Sequence, residues 1–338
     1  MSQGHCVIIG NGPAANEAAL TLREKAPDLK VTMIGREVVR YYKPHLLPDY
    51  IAGRLTEQDL YVNPLNFYRE RGINLRLGQE AVGVDCQRRE VLLDHKERVR
   101  FDGLIIAVGG KPRIPESLVP FSRFMLTLKT LADAREWVER LSRVKSVLIV
   151  GGDLTSLAVT KALISMGKKV SFILCQDAFW PVRVDDEIRR QVAAGLVNRG
   201  VKVLACRVLR GITRAGDRLM EVQTDDGSLT IGLVGAFYGL VPDVKFLTRS
   251  GLDIERGILV DEHLRTCFGD VYAAGDCAQV YHPGLKDYWV SIGYGNATYL
   301  GRIAALNLIG GRVPAEVAPE SVFKVDGINA NVSWWLEF

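Results

Sequence analysis

The chain has 338 residues, 48% hydrophobic and 24% charged, with a formal net charge of +4. That length predicts two domains, each large enough for its own core. No long block of like charge and no run long enough for a bilayer is present, which argues against nucleic-acid binding and against a membrane span.

The first strand-like run, Cys6 to Ile9, leads into Gly10, Gly12 and Ala15, and a helical pattern follows from Asn16 to Lys25. This is the spacing of a dinucleotide loop. The first glycine makes the tight turn, the second lets backbone approach a pyrophosphate, and the third small residue lets helix and strand pack closely. Phosphates then rest on amides at the positive helix end. Val31 to Ile34 reads as the next strand, and residues 75 to 102 read as a small β-meander. FDGLIIAVGGKPRIP is a buried strand running into Gly109 and Gly110 and two prolines, a crossing between domains. Leu131 to Leu141 is helical.

A second glycine loop begins at Ser146 to Gly151, with a helix to Met166 and a strand from Lys169 to Leu174. It keeps Gly151 and Gly152 but places Asp153 at the second glycine and Ser156 at the third. Asp185 to Arg199 is a further helix. Short strands follow, ending in AFYGLVPDV. The strand in DVYAAGDC precedes a helix from about Tyr294 to Leu308, stopped by Gly310 and Gly311. Alternating strands and helices predict an α/β fold.

The six cysteines (Cys6, Cys86, Cys175, Cys206, Cys267, Cys277) form no CxxC pair. A redox disulfide of that kind and a metal or cluster site in this chain are therefore not expected. No basic leader precedes the first strand, so a cytoplasmic location is expected.

Five signatures in order, GNGPAA, LIIAVGGKPRIP, IVGGDLTS, FYGLVPDV with ILVDEHLRT, and VYAAGDCA, resemble the pyridine nucleotide–disulfide oxidoreductase superfamily. Within it the chain is similar to NADH:rubredoxin reductases and the flavin part of NAD(P)H nitrite reductases. VTMIGREVVRYYKPHLLPDYIAG, LKTLADA and VFKVDGIN carry that likeness. The resemblance implies a discontinuous FAD-binding Rossmann-like domain (1–111 and 243–312) interrupted by an NAD(P)-type domain (112–242). A truncated C-terminal interface segment (313–338) follows.

By matching positions, Gly10, Gly12, Pro13, Ala14 and Ala15 would hold the FAD pyrophosphate. Asp276 would bond a ribityl hydroxyl, with Gly275 allowing close approach. Glu37 is assigned to the adenosine ribose, although the family's acidic residue aligns with Gly35. Val82 would give backbone contacts to adenine. Ala107, Val108 and Gly109 form the crossing loop near FAD. The helix at Tyr294 and Asn296 would aim its positive end at the flavin. Lys43 lies beside the family's basic residue near the flavin, at whose slot Pro44 stands. His45 occupies the place of the reactive cysteine of disulfide-reducing relatives, which excludes a thiolate mechanism there. It is read either as a flavin-side modulator or as a polar lining residue.

The second loop is altered. A carboxylate at Asp153 opposes a pyrophosphate, Ala158 replaces the family's glutamate, and the strand ends without an acidic ribose ligand before Asp177. NAD(H) or NADP(H) could bind in a shifted pose on Gly151, Gly152, Thr155 and Ser156. The site could instead be dead, or Asp153 could be an N-cap. Arg183 and Lys168 near the cofactor edge do not decide NADH against NADPH. Trp334, Trp335 and Phe338 in the tail read as an anchor for a partner subunit or as residues folded back on their own domain.

These readings lead to an FAD-dependent enzyme passing electrons between NAD(P)H and an iron–sulfur protein carrier. The alternatives are an FAD-carrying subunit of a larger redox complex with a degenerate nicotinamide site, or an NAD(P)H oxidase.

Overall fold

The computed structural model describes residues 4–64, 66–175, 186–204, 207–216, 218–284, 286–290, 293–315, 321–325 and 328–332, leaving aside the side chains of 188, 289 and the last two segments. Asp177, Arg183, Cys206, Trp334, Trp335 and Phe338 lie outside the described residues.

In chain order the first half holds β1 (His5–Ile9), α1 (Pro13–Lys25), β2 (Lys30–Gly35), the short helices α2 (Leu47–Ile51), α3 (Glu57–Leu60) and α4 (Phe67–Glu70), β3 (Ile73–Leu77), a meander β4 (Ala81–Asp85), β5 (Glu90–Leu93), β6 (Arg98–Arg100), and β7 (Gly103–Ile106). Next come β8 (Gly110–Pro112), β9 (Met125–Leu126), α5 (Leu131–Leu141), β10 (Ser146–Gly151), α6 (Leu154–Ser165), β11 (Lys169–Leu174), α7 (Asp186–Asn198), β12 (Lys202–Val203), β13 (Leu209–Arg214), β14 (Met220–Thr224), β15 (Gly227–Ile231), β16 (Leu233–Phe237) and β17 (Leu240–Pro242). The rest is β18 (Ile258–Val260), β19 (Val271–Ala273), β20 (Ala278–His282), β21 (Asp287–Val290), α8 (Tyr294–Leu308), β22 (Ser321–Val325) and β23 (Ile328–Val332).

Two five-stranded sheets, each parallel throughout, form the frame. The first has the order β19-β7-β1-β2-β3 and the second β12-β11-β10-β16-β9. In both, the strand before the glycine loop lies where the chain order reverses, the point at which open α/β sheets bind ligands. β1 and β10 are almost wholly apolar because helices cover both faces of a parallel sheet. The expected α/β fold with two Rossmann-like units is the one observed.

The element ends follow from local chemistry. α1 starts three residues before the expected Asn16 because Pro13 is pre-set for the first helical turn. α5 is closed by a reciprocal box: Asp133 N donates to Thr130 Oγ1 at 3.2 Å and Thr130 N donates to Asp133 Oδ2 at 2.8 Å. Its apolar positions Leu131, Ala134, Trp137 and Leu141 recur at helical spacing and are buried. In the tail, β22 pairs with β23 in antiparallel register.

The segment after β2 does not stay with the first sheet. Tyr42, Leu47, Ile51 and Leu60 are buried in the same core as Trp137, Leu163 and Phe172 of the second unit. The two units thus share apolar packing as well as the chain crossings. Those crossings, β8 and β17, pair with each other as an antiparallel ribbon.

Candidate functional site

Three separated motifs meet at the first glycine loop. Gly10 has φ +131°, and a Cβ there would lie 2.3 Å from the Ala107 carbonyl oxygen, so only glycine fits where β1 and β7 run out together. A Cβ on Gly275 would lie 3.2 Å from the Ala14 Cβ, and one on Gly301 would lie 2.2 Å from the Ala14 oxygen. The β1–α1 turn, the β19 end and α8 therefore converge on Ala14. Gly12 is the N-cap of α1 and no side chain caps the helix. A Cβ on Gly12 would meet nothing within 4 Å. Open space at an uncapped helix N-terminus is what a pyrophosphate requires.

Asp276 follows this junction with a side chain only 14% exposed. Its Oδ2 lies 3.4 Å from Lys129 Nζ, on the turn before α5. Lys129 was not singled out in the sequence. It lies in the motif LKTLADA, but a partner 147 residues away carries no local signal. Asp276 is the only carboxylate that the described contacts give the Lys129 ammonium, while the Lys129 amide donates to Asp133 Oδ2 at 2.8 Å. The Lys129–Asp276 pair ties the first unit to the second.

The other expected FAD residues divide. Ala107, Val108 and Gly109 run out of β7, with Gly109 at φ +67° and its carbonyl accepting from Asp243 N at 3.1 Å. Val82 is 41% exposed beside an irregular register step between Ala81 and Gly83. Glu37 is turned toward the interior. Its Oε2 accepts from Tyr42 OH at 2.9 Å, and that hydroxyl accepts from Leu131 N at 2.9 Å. Burial pushes the Glu37 carboxyl up, against the pull of the Tyr42 hydrogen bond. Glu37 thus already has a partner in the protein.

His45 and the α8 terminus are brought together. The His45 ring meets the Tyr294 ring edge-on at 4.5 Å, and Tyr41 OH donates to Tyr294 OH at 3.0 Å. Tyr294 and Asn296 sit in the first turn of α8, behind Gly293 at φ +106°. Partial desolvation, then the charge of Lys43, lowers the His45 pKa. The sequence names Tyr294 only as the start of the flavin-facing helix and gives Tyr41 no site role. Only the YYKP segment and the first helical position of α8 hinted at them.

The second glycine loop repeats the backbone of the first with one substitution of chemistry. Gly151 has φ +114°, and a Cβ there would lie 1.9 Å from Phe237 O. Asp153 is the N-cap of α6 with φ −70° and ψ 173°, close to Gly12 at φ −83° and ψ −171°. Where Gly12 leaves space, the Asp153 carboxylate turns in. Oδ1 accepts from Ser156 N at 2.8 Å and Oδ2 accepts from Gly239 N at 3.1 Å. The Ser156 hydroxyl donates to the Asp153 carbonyl at 2.5 Å. Burial lifts the Asp153 carboxyl to about 6, against the amide hydrogen bonds that lower it. Gly152, Thr155 and Ser156 surround this turn, whose helix end is already capped. Lys168 is remote from it and donates to the Leu141 and Val144 carbonyls at 2.7 Å each.

Two dinucleotide folds of this order, joined by a paired ribbon, define a two-nucleotide oxidoreductase architecture. The chain belongs to the pyridine nucleotide-disulphide oxidoreductase family, whose signature matches residues 4–295. It is an FAD- and NAD(P)H-type oxidoreductase, as that family is. It is 28% identical over 324 residues to putidaredoxin reductase CamA of Pseudomonas putida, across 92% of this chain and 75% of that one. It is 27% identical over 329 residues to the nitric oxide reductase FlRd-NAD(+) reductase of Shigella flexneri, across 96% and 84%. Among solved structures, the covalent putidaredoxin reductase–putidaredoxin complex matches at TM-score 0.85 with 25% identity, over 94% of this chain and 78% of that one. Among the described residues, no helix is long and apolar enough to cross a membrane.

Proposed function

We propose that the protein carries electrons between NAD(P)H and a small iron–sulfur protein through a bound FAD. The carrying observation is the convergence of Gly10, Gly12, Ala14, Gly275 and Asp276 on one uncapped helix end. Similarity to reductases named for putidaredoxin and for ferredoxin supports the partner class. Residues 1–111 and 243–312 are assigned to the FAD unit, 112–242 to the nicotinamide-type unit, and 313–338 to an interface segment.

In this reading the α1 amides hold the pyrophosphate. Asp276 accepts from sugar hydroxyls, and Lys129 aims that carboxylate. Ala107, Val108 and Gly109 supply backbone contacts, and the α8 terminus directs positive partial charge at the ring end. FAD supplies conversion of a hydride into single electrons, while the protein supplies orientation and electrostatics. No cysteine takes part: His45 stands at the reactive position, and burial raises the nearby Cys277 thiol to about 11.

A second reading rests on Asp153. Its carboxylate fills the amides a nicotinamide dinucleotide would use, which favours an FAD subunit fed by another protein. Anaerobic mixing of the FAD-loaded protein with NADH or NADPH separates the two. Bleaching of the flavin, followed by transfer to a ferredoxin or rubredoxin, is expected from the first. A flavin that stays oxidised with both nucleotides, yet accepts electrons from a reduced carrier, establishes the second. Protein that stays colourless with excess FAD overturns both. We assign the tail, Trp334 and Trp335, to partner contact; deleting residues 330–338 then abolishes the association and leaves FAD bound.

A further inference from the structure

The second unit has a groove at the end of its sheet opposite the dinucleotide loop. Phe124 precedes β9, Val144 precedes β10, and Gly232 and Leu233 open β16. These are the starting ends of parallel strands, whereas Gly151 and Asp153 lie beyond the finishing end of β10. Six residues of strand put the two about 20 Å apart. Dinucleotides bind at the finishing ends, so this groove is a separate place.

Its cavity is about 410 Å³, within the range of small-molecule sites. Arginines reach it from three elements: Arg123 ahead of β9, Arg140 and Arg143 at the end of α5, and Arg214 and Arg218 at the β13–β14 turn. Two glutamates line it as well. Glu136 pairs with Arg140 at 2.5 Å and Glu139 with Arg143 at 3.0 Å, both as exposed one-turn pairs of small worth. Arg123 stacks on the Phe124 ring, and Arg214 and Arg218 have no carboxylate partner among the described residues. Among the described lining residues, arginines outnumber acids five to two. Like charges gathered around one concavity repel in the free protein, and a multivalent anion relieves that repulsion. Guanidinium forks match phosphate oxygens in pairs.

We propose that this groove binds a small polyphosphate or polyphosphate ester, distinct from the nicotinamide dinucleotide. The groove is too confined for the roughly 800 Å² per partner of a stable protein interface.

The test is calorimetric titration of the FAD-loaded protein with tripolyphosphate and with ADP, at low and moderate salt. Saturable one-to-one binding by either probe is expected. It should weaken at least about tenfold in an Arg214→Ala, Arg218→Ala double variant, whose side chains are exposed and bear on no core. An Arg140→Gln, Arg143→Gln variant should weaken it through a different element. Arg88→Ala, at an exposed pair elsewhere, should leave it unchanged. Saturating NADH should not displace the probe. Absence of saturable binding, equal binding in both groove variants, displacement by NADH, or binding of polyglutamate but neither phosphate probe would each overturn the proposal. None of these readings depends on whether the flavin is reduced by nicotinamide.

Discussion

Asp153 shows how one side chain changes what a shared backbone can do. Gly12 and Asp153 hold nearly the same φ and ψ, so Asp153→Gly strains nothing; it loses the cap and the hydrogen bond from Gly239 N, together on the order of 1–2 kcal/mol. It frees the α6 amides and removes a charge, so NADH affinity should rise, and more at low salt. A loss of affinity in that variant would make Asp153 a ligand. The raised carboxyl pKa adds a pH signature. Folded Asp153 is neutral below about pH 6 and charged above it. The stability linked to its protonation is therefore complete below the unfolded carboxyl value and is lost as pH rises through 6. NADH binding should tighten as pH falls from 7.5 to 5.5, by up to about tenfold, and Asp153→Asn should flatten that dependence. Fluorescence titration at fixed ionic strength reads both. Lys129→Ala should lower FAD retention in dialysis, less than Asp276→Ala does; full retention in both would remove the pair from the site.

At the scale of elements, the α1–α8 contact is the least forgiving. A side chain at Gly301 would strike the Ala14 carbonyl, so Gly301→Val should cost on the order of 1–3 kcal/mol and reduce FAD binding together with melting temperature. Thr130→Ala removes half of the α5 box and should cost about 1 kcal/mol, with FAD content nearly unchanged. Elements like these were the most legible. The α5 span matched its sequence reading because the cap and the apolar spacing agree. The β10 and β11 spans did too, because buried parallel strands are continuous apolar runs. The helices at 47–70 were not read, because proline- and tyrosine-rich stretches of four or five residues carry no full period. At the site, glycine positions were visible because they answer to local backbone needs. Lys129 with Asp276, Glu37 with Tyr42, and Tyr41 with Tyr294 were not, because each pair is made by folding.

For the whole molecule, thiol chemistry and electron flow should be independent. Burial lifts Cys6 and Cys86 to about 12 and Cys277 to about 11, and Cys267 is exposed but not activated. Alkylating the native, reduced protein should leave the rate of flavin reduction by its electron donor unaltered. Loss of that rate from a single modified cysteine, with melting temperature unchanged, would contradict the proposed chemistry.

The β8–β17 ribbon has a consequence for construction. Leu240 sits across from Pro112 and Val241 across from Lys111, so the stretch 113–239 leaves and re-enters at adjacent points, like a cassette on a single plug. Asp243 pins the base of that plug, taking Lys111 at 3.0 Å and Arg36 at 3.3 Å. A two-residue Asn-Gly turn could bridge the cut. The cassette could then be exchanged for one from a relative without re-registering the first sheet. The limit is set by Tyr42, Leu47, Ile51 and Leu60, which such a graft must continue to cover.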